Sequence, residues 1–238
     1  MRVISPQPDL VARLVQSELP ADVVHAGAAC LAQMLGGFVW VRSRQSLERR
    51  TEGRREVIRL AKSKYNRSGR LIELIAEALT VFDDDLGTWR QANAGLTVNR
   101  HESVESIVCA SSFLDMSSSY FVVLTRRHTR VAQLERFADH LSETALPWFA
   151  SSADPQVTAL AVPDALLTPW GFAQDLMEFL VSAGHDAEAH ALWVRVRELH
   201  PNHQQRFMAG HSMAQSGDRP RWHTPEAIGW SASVLDLL

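Results

Sequence analysis

The spacing of apolar residues along the chain changes near Thr129, and this change constrains the fold more than any other feature. Across residues 38–124, short runs of β-forming residues are separated by turn signals such as Glu52-Gly53. After Thr129, apolar residues recur at helical spacing, with Gly and Pro between the helices. We therefore predict an α+β protein with N-terminal helices, an antiparallel β-meander sheet, a packed helix and an all-helical C-terminal region.

Local signals predict where the elements begin and end. Asp9 and Asp22 are expected to cap two N-terminal helices, and Pro147 is expected to stop the helix that begins near Val131. Residues 71–81 have good helix propensity, yet their hairpin context favours a strand. Two domains are expected, an α+β meander domain over 1–150 and a helical region over 156–238, with a linker near 151–155. The expected C-terminal helices span 169–183, 187–199, 202–215 and 225–237.

Composition places the chain among ordinary globular proteins, with 46% apolar and 21% charged residues. The N-terminal residues have no apolar core typical of a signal peptide, and no apolar stretch is long enough to span a bilayer. Cys30 and Cys109 lie in patterns typical of buried positions and form no metal spacing. The sequence thus favours a cytoplasmic protein with reduced thiols and without a membrane partner.

Positive charge is concentrated in one segment. Residues 42–70 contain eleven of the twenty-four Lys and Arg residues and three acids, a local charge of +8 in a chain of net −3. Such a split indicates an electropositive surface that steers an acidic partner. The other possibility is a solvated sheet face whose arginines pair with the protein's own acids. The predicted partner-binding residues are Arg49, Arg50, Arg54, Arg55, Arg59, Lys62 and Lys64.

An acidic protein is a better candidate for this partner than a nucleic acid. Single-stranded nucleic acids bind where aromatic residues are interleaved with the charge, whereas this segment has Tyr65 alone, with Trp40 just before it. The pI near 6.4 is also low for a nucleic-acid-binding module.

Patterns for catalysis and metal binding are weak. His200, His203 and His211 could approach one another, but Pro201 separates the first two and no ligand set for zinc is complete. The acidic run 83–85 does not have the EF-hand pattern and is expected to be a loop or helix cap. No hydrolase, nucleotide-binding or metalloprotease motif is present. We expect no cofactor, no metal and no catalytic residue.

Four features together carry a family resemblance. They are Gly37-Phe38 at the first strand, the basic hairpin that leads into residues 62–66, a strand followed by a helix, and the run Ala-Leu-Pro-Trp-Phe at 145–149. Over residues 8–155 the chain resembles a bacterial family of unknown-function domains found among the immunity proteins of polymorphic-toxin systems. The resemblance implies a non-catalytic protein that binds a toxin, and it supplies no catalytic residue.

The function predicted from the sequence is therefore a binding protein, an immunity factor that neutralises a cognate toxin through an electropositive sheet face. A small hydrolase or nuclease, with His and Asp residues assembled by the fold, is the first alternative. A nucleic-acid-binding regulator is the second.

Overall fold

The computed structural model describes residues 5–98, 105–112, 120–170 and 172–238. The strands are β1 (Val39–Val41), β2 (Ser46–Thr51), β3 (Arg54–Lys62), β4 (Glu73–Asp83), β5 (Ser106–Ser112) and β6 (Phe121–Val123). The helices are α1 (Pro8–Gln16), α2 (Pro20–Met34), α3 (Asp84–Ala92), α4 (Arg130–Ser151), α5 (Pro155–Ala161), α6 (Ala173–Ser182), α7 (Asp186–Leu199), α8 (Gln204–Ser216) and α9 (Pro225–Val234).

The strands form one six-stranded antiparallel sheet. Its order is β1-β2-β3-β4-β5, and β6 also pairs with β4. Neighbours in sequence are mostly neighbours in the sheet, as the turn signals predicted. The α+β class, with helices before and after the sheet, is confirmed. The strand predicted for residues 71–81 is also confirmed, because β4 spans Glu73–Asp83.

The prediction that Pro147 stops a helix is wrong. Helix α4 continues through Pro147 to Ser151. Proline removes one main-chain hydrogen bond and crowds the preceding turn, which weakens a helix. Here Phe149 lies beyond the proline, is 1% exposed and contacts the ring of Phe38 at 6.1 Å. Burial of this large side chain keeps the last turn helical.

The predicted helix starts are displaced by a few residues. Helices α1 and α2 begin at Pro8 and Pro20, so Asp9 and Asp22 lie inside the first turns rather than at the caps. Proline is favoured at the first helical position because its missing N–H would have no partner there. The segment predicted as a linker contains the end of α4 and the cap of α5, where the Asp154 side chain accepts hydrogen bonds from two main-chain amides.

The chain forms two compact units, each with most of its contacts inside the unit. Both units are discontinuous in sequence. One unit contains Met1–Thr80 and Ser111–Phe149, and the other contains Val81–Ala110 and Ala150–Leu238. This division differs from the one expected from the sequence because residues 81–110 belong with the C-terminal helices. The chain passes between the units inside β4, β5 and α4.

The first unit has an apolar core between its helices and the sheet. Leu14 of α1, Leu31 of α2, Leu47 of β2 and Leu134 of α4 are all fully buried. Cys30 is buried in this unit, and Cys109 is buried in the other, as the sequence predicted. None of the described helices combines the length and the apolar composition needed to cross a membrane.

The second unit contains an unusually close helix contact. Gly210 of α8 lies against the main chain of Glu226 and Trp230, and Gly229 of α9 lies against the main chain of Phe207. A Cβ atom on Gly210 would be 2.7 Å from the main-chain nitrogen of Trp230 and would collide with the carbonyl oxygen of Glu226. Only glycine permits this approach of two backbones.

Candidate partner-binding surface

Strands β2 and β3 form the hairpin that carries the predicted basic residues. Their antiparallel register pairs Leu47 with Ile58 and Glu48 with Val57, and Gly53 in the turn has a φ of 67°. Successive side chains of a strand lie on opposite sides. The hairpin therefore has an inner face that contains Leu47 and Ile58, and an outer face that contains Glu48 and Val57.

The inner face of the hairpin lies toward α2. His25 of α2 and Trp40 of β1 are in ring contact at 6.1 Å. Trp40 is the register partner of Leu47, and a small groove brings His25 and Trp40 together with Leu60 and Lys62 of β3. Helix α2 thus lies beside the apolar side of the hairpin.

The expectation of one arginine-rich face needs correction. Basic residues occupy both odd and even positions of β2 and β3, and alternation sends these to opposite sides. The outer face carries Arg50, Arg55 and Arg59, the inner face carries Arg49, Arg54 and Lys62, and Lys64 follows the end of β3.

Glu48 is the centre of an ion cluster on the outer face. Arg44 donates to its two carboxylate oxygens at 2.7 and 2.6 Å, Ser46 donates at 2.7 Å, and Arg55 donates at 3.3 Å. Burial opposes ionisation of Glu48, which is only 8% exposed. The hydrogen bonds from Arg44 and Ser46 and the charge of Arg55 outweigh burial and lower the Glu48 pKa to about 2. Arg55 therefore has a structural role inside the hairpin.

Arg49 also interacts with groups of the protein itself. Its Nε donates to Glu56 at 2.6 Å, and Glu56 is its register partner on β3. The guanidinium lies 4.8 Å from the centre of the Phe38 ring, which adds a cation–π contact. In the structure, Arg49 and Arg55 pair with acids of the protein itself. This was the alternative to a partner-binding role for these arginines.

Other cations remain exposed at the open end of the hairpin, opposite the Gly53 turn. Leu60 donates its main-chain N–H to Gln45 at 2.8 Å, which brings the β1–β2 turn beside the end of β3. We call the exposed cations of this region the open-end basic cluster. Its members are Arg42, Arg59, Lys62 and Lys64.

The described residues provide no counter-ion for the open-end basic cluster. Within the described part of the chain, no carboxylate lies within ion-pair distance of any of its four members. Glu77 lines a groove with Arg59 but does not form an ion pair with it. Lys64 lies over the ring of Tyr65, with 5.1 Å between its Nζ and the ring centre. This end of the hairpin therefore presents net positive charge to solvent.

Of the three histidines considered as metal ligands, His200 and His203 are in ring contact, with 6.3 Å between the ring centres, while His211 has other partners. His200 Nε2 contacts the carbonyl oxygen of Leu167 at 2.5 Å, and His203 packs edge-on to Trp170 at 5.1 Å. His211 Nδ1 contacts the hydroxyl of Ser233 at 2.8 Å. Among the described residues there is no group of three or more His, Cys, Asp or Glu side chains that could hold a metal ion.

The acidic run 83–85 forms the start of a helix. A helix cap was one of the two structures expected for it, the other being a loop. The Asp83 side chain accepts a hydrogen bond from the main-chain N–H of Leu86 at 2.8 Å, and Asp84 and Asp85 lie in the first turn of α3. Negative charge is favourable there because it faces the positive end of the helix dipole.

A buried ion cluster in the second unit was not predicted. Arg90 of α3 donates to Asp175 and to Glu178 of α6, each at 2.5 Å, and all three side chains are no more than 2% exposed. Gln174 also donates to Glu178, at 3.1 Å. The partners are more than eighty positions apart in sequence, so no local pattern could reveal them.

This cluster contains two carboxylates and one guanidinium. Burial raises the pKa of both Asp175 and Glu178, and Arg90 offsets this only in part. The pair therefore binds a proton more readily than free carboxyl groups do. Because Arg90 lies in α3 and both of its carboxylate partners lie in α6, the cluster joins these two helices.

No protein-family model, no curated protein and no solved structure matches this chain. The family resemblance carried by residues 8–155 therefore stays a prediction.

Proposed function

We propose that this protein is a non-catalytic binding protein that captures an acidic protein partner at the open-end basic cluster. One observation carries the proposal: Arg42, Arg59, Lys62 and Lys64 are each exposed near the open end of the hairpin, on both of its faces, and the described residues supply no carboxylate within ion-pair distance of them. Unpaired surface cations in one place speed the encounter with an acidic protein and select against basic ones.

The structure narrows the set of residues to which we assign this role. Arg49 and Arg55 are committed to Glu56 and Glu48, so their charge is largely neutralised within the hairpin. Of the five other predicted residues, Arg50 and Arg54 lie beside the Gly53 turn at the opposite end of the hairpin. Arg59, Lys62 and Lys64 lie at the open end, and Arg42 joins them there. The family resemblance favours a bacterial toxin as the acidic partner, in which case the protein is an immunity factor.

An acidic protein remains a better fit than a single-stranded nucleic acid. Bases would need exposed aromatic rings on which to stack. Tyr65 is 64% exposed, but the Lys64 ammonium lies over its ring. Trp40 is half-buried beside His25. The rings near the cluster are thus one half-buried indole and one phenol already covered by a cation, which is too few for a run of stacked bases.

The proposal can be tested by capture from a lysate of the native host. The immobilised protein is compared with a cluster variant, Arg59→Glu, Lys62→Glu and Lys64→Glu. The control variant carries the same charge change at exposed arginines elsewhere, Arg126→Glu, Arg136→Glu and Arg221→Glu. Wild type and control should retain the same acidic protein, identified by mass spectrometry, and the cluster variant should lose it.

Two further measurements make the test decisive. Raising the salt concentration should weaken capture by wild type, because ions screen exposed charges. All three proteins should melt at similar temperatures, since exposed substitutions change stability by only about 0.5 kcal/mol. Equal capture by the cluster variant contradicts the proposal, and capture that disappears after nuclease treatment favours the nucleic-acid alternative.

A further inference from the structure

A cleft of about 580 Å³ lies between α1, α2 and β1 in the first unit. Pockets for small molecules are typically roughly 300–1,000 Å³. Its lining comes from three consecutive elements of the chain, between Leu10 and Arg42. The cleft is distinct from the outer face of the hairpin.

The cleft is lined by apolar and aromatic side chains as well as polar ones, among them Gln16 and Ser17. Its apolar lining comes from Ala26 and Ala29 of α2, Leu10 of α1 and the half-buried Trp40 indole of β1. The small alanine side chains leave the space open, and the indole offers a flat surface. Such a surface suits the planar body of a ligand.

The rim of the cleft is positively charged. Arg13 of α1 and Arg42 after β1 are both exposed at the rim, and Asp22 is the acid that lines it. No carboxylate among the described residues, Asp22 included, lies within ion-pair distance of either guanidinium. Two arginines on one rim, neither of them in an ion pair with a described carboxylate, are well suited to a carboxylate or a phosphate.

His25 connects the cleft with the smaller inner groove that contains Lys62. Burial lowers the pKa of His25, and the charges of Arg42 and Lys62 act in the same direction, while Asp22 opposes them. The imidazole is therefore neutral at pH 7. Arg13, Arg42, Lys62 and His25 are thus the four groups of this region that would interact with a bound negative charge.

We propose that this cleft binds a small organic anion, a carboxylate with a planar apolar body. Arg13 and Arg42 hold the carboxylate, and the body lies against Trp40 and the two alanines. The ligand class follows from the charge of the rim and the shape of the interior. Arg42 belongs both to this rim and to the open-end basic cluster, but binding of a small anion in the cleft does not require capture of a protein.

The test uses a matched pair of probes, 2-naphthoate and 2-naphthamide, which differ in charge and hardly in shape. Binding is followed by NMR signals of the Trp40 indole N–H and the His25 ring. We expect saturable shifts with naphthoate and at least tenfold weaker binding of the amide. Equal affinities for the two probes would overturn the proposal, because the rim charge would then have no role.

Variants locate the site. Arg13→Gln with Arg42→Gln should weaken naphthoate binding at least tenfold, and Arg136→Gln, an equal charge change on exposed α4, should leave it unchanged. Ala29→Leu keeps every charge and fills the cleft, so it should also abolish binding. Unchanged binding by a folded Ala29→Leu protein places the probe elsewhere and refutes the assignment.

A titration of His25 gives an independent readout. A carboxylate bound beside the imidazole favours its charged form, so saturating naphthoate should raise the His25 pKa measured by NMR. The amide should not change it. The absence of any such difference between the two probes, with Trp40 signals shifting equally, contradicts binding at this rim.

Discussion

The guanidinium of Arg130, at the start of α4, donates a hydrogen bond of 2.6 Å to the carbonyl oxygen of Leu14 in α1. It also donates to the carbonyl oxygens of Ser17 at 2.8 Å and Leu124 at 2.6 Å. Arg130 is only 2% exposed. One buried side chain thereby satisfies the carbonyls at the end of α1 and the carbonyl that follows β6.

Arg130→Met should destabilise the protein by about 3 kcal/mol, because three carbonyls would lose a charged donor without access to water. Arg136→Met, on the exposed side of the same helix, is the matched control and should change stability by less than about 0.5 kcal/mol. Urea unfolding at pH 7 measures both. Similar losses for the two variants would show that Arg130 has no special role.

Glu48→Gln should lower stability by about 2 kcal/mol at pH 6, because the ionised carboxylate holds Arg44 and Arg55. The Glu48 pKa is lowered from 4.5 to about 2, so its contribution is complete above pH 4.5 and is lost as the pH falls toward 2. The difference between variant and wild type should therefore shrink at pH 3. Glu52→Gln at the exposed turn should match wild type at both values.

Glu178→Gln should alter how stability depends on pH. Burial raises the Glu178 pKa from 4.5 to about 7, so wild type loses stability as the pH rises through this range. The glutamine variant removes one of two carboxylates that share Arg90, and it should be more stable than wild type at pH 8. Unfolding curves at pH 5 and pH 8 test this, with exposed Glu198→Gln as control.

Arg90→Met should have the opposite effect to Glu178→Gln. It leaves Asp175 and Glu178 buried without a cation, which typically costs about 3–5 kcal/mol. The loss should be smaller at pH 5 than at pH 8, because protonated carboxyl groups need no counter-ion. A pH-independent loss would contradict the role assigned to the charge.

Gly210→Ala and Gly229→Ala should each destabilise the second unit by more than about 3 kcal/mol. The new methyl group would meet main-chain atoms of the facing helix, which cannot move aside as a side chain can. Gly95→Ala is the control, because no atom lies within 4 Å of the added carbon. Thermal unfolding should place the control close to wild type and the two helix variants far below it.

The hairpin shows which parts of the fold the sequence could predict. Turn residues such as Gly53 and the alternation around Ile58 are local signals, and the structure contains the strands that they predicted. The pairing of Arg49 with Glu56 follows from the register, which the sequence alone did not define. For this reason the charged segment was predicted correctly as a hairpin, while its arginines were wrongly assigned to one face.

Features that depend on distant residues could not be predicted. Arg90 meets its carboxylates across more than eighty positions. The anion-binding cleft needs α1, α2 and β1 together, and nothing in the local pattern of Arg13 or Arg42 indicates that they share a rim. Pro147 illustrates the opposite error, in which a strong local signal is overcome by the burial of Phe149.

The chain passes between the two units inside β4, β5 and α4, and this affects how the gene can be divided. A clone that ends at residue 150 would encode Arg90 without Asp175 and Glu178, and a clone that begins at residue 156 would encode those acids without Arg90. Neither half can be expressed with its buried charges balanced. Deletion mapping of binding partners with such clones would yield misfolded products, so point variants of the whole chain are the appropriate genetic tool.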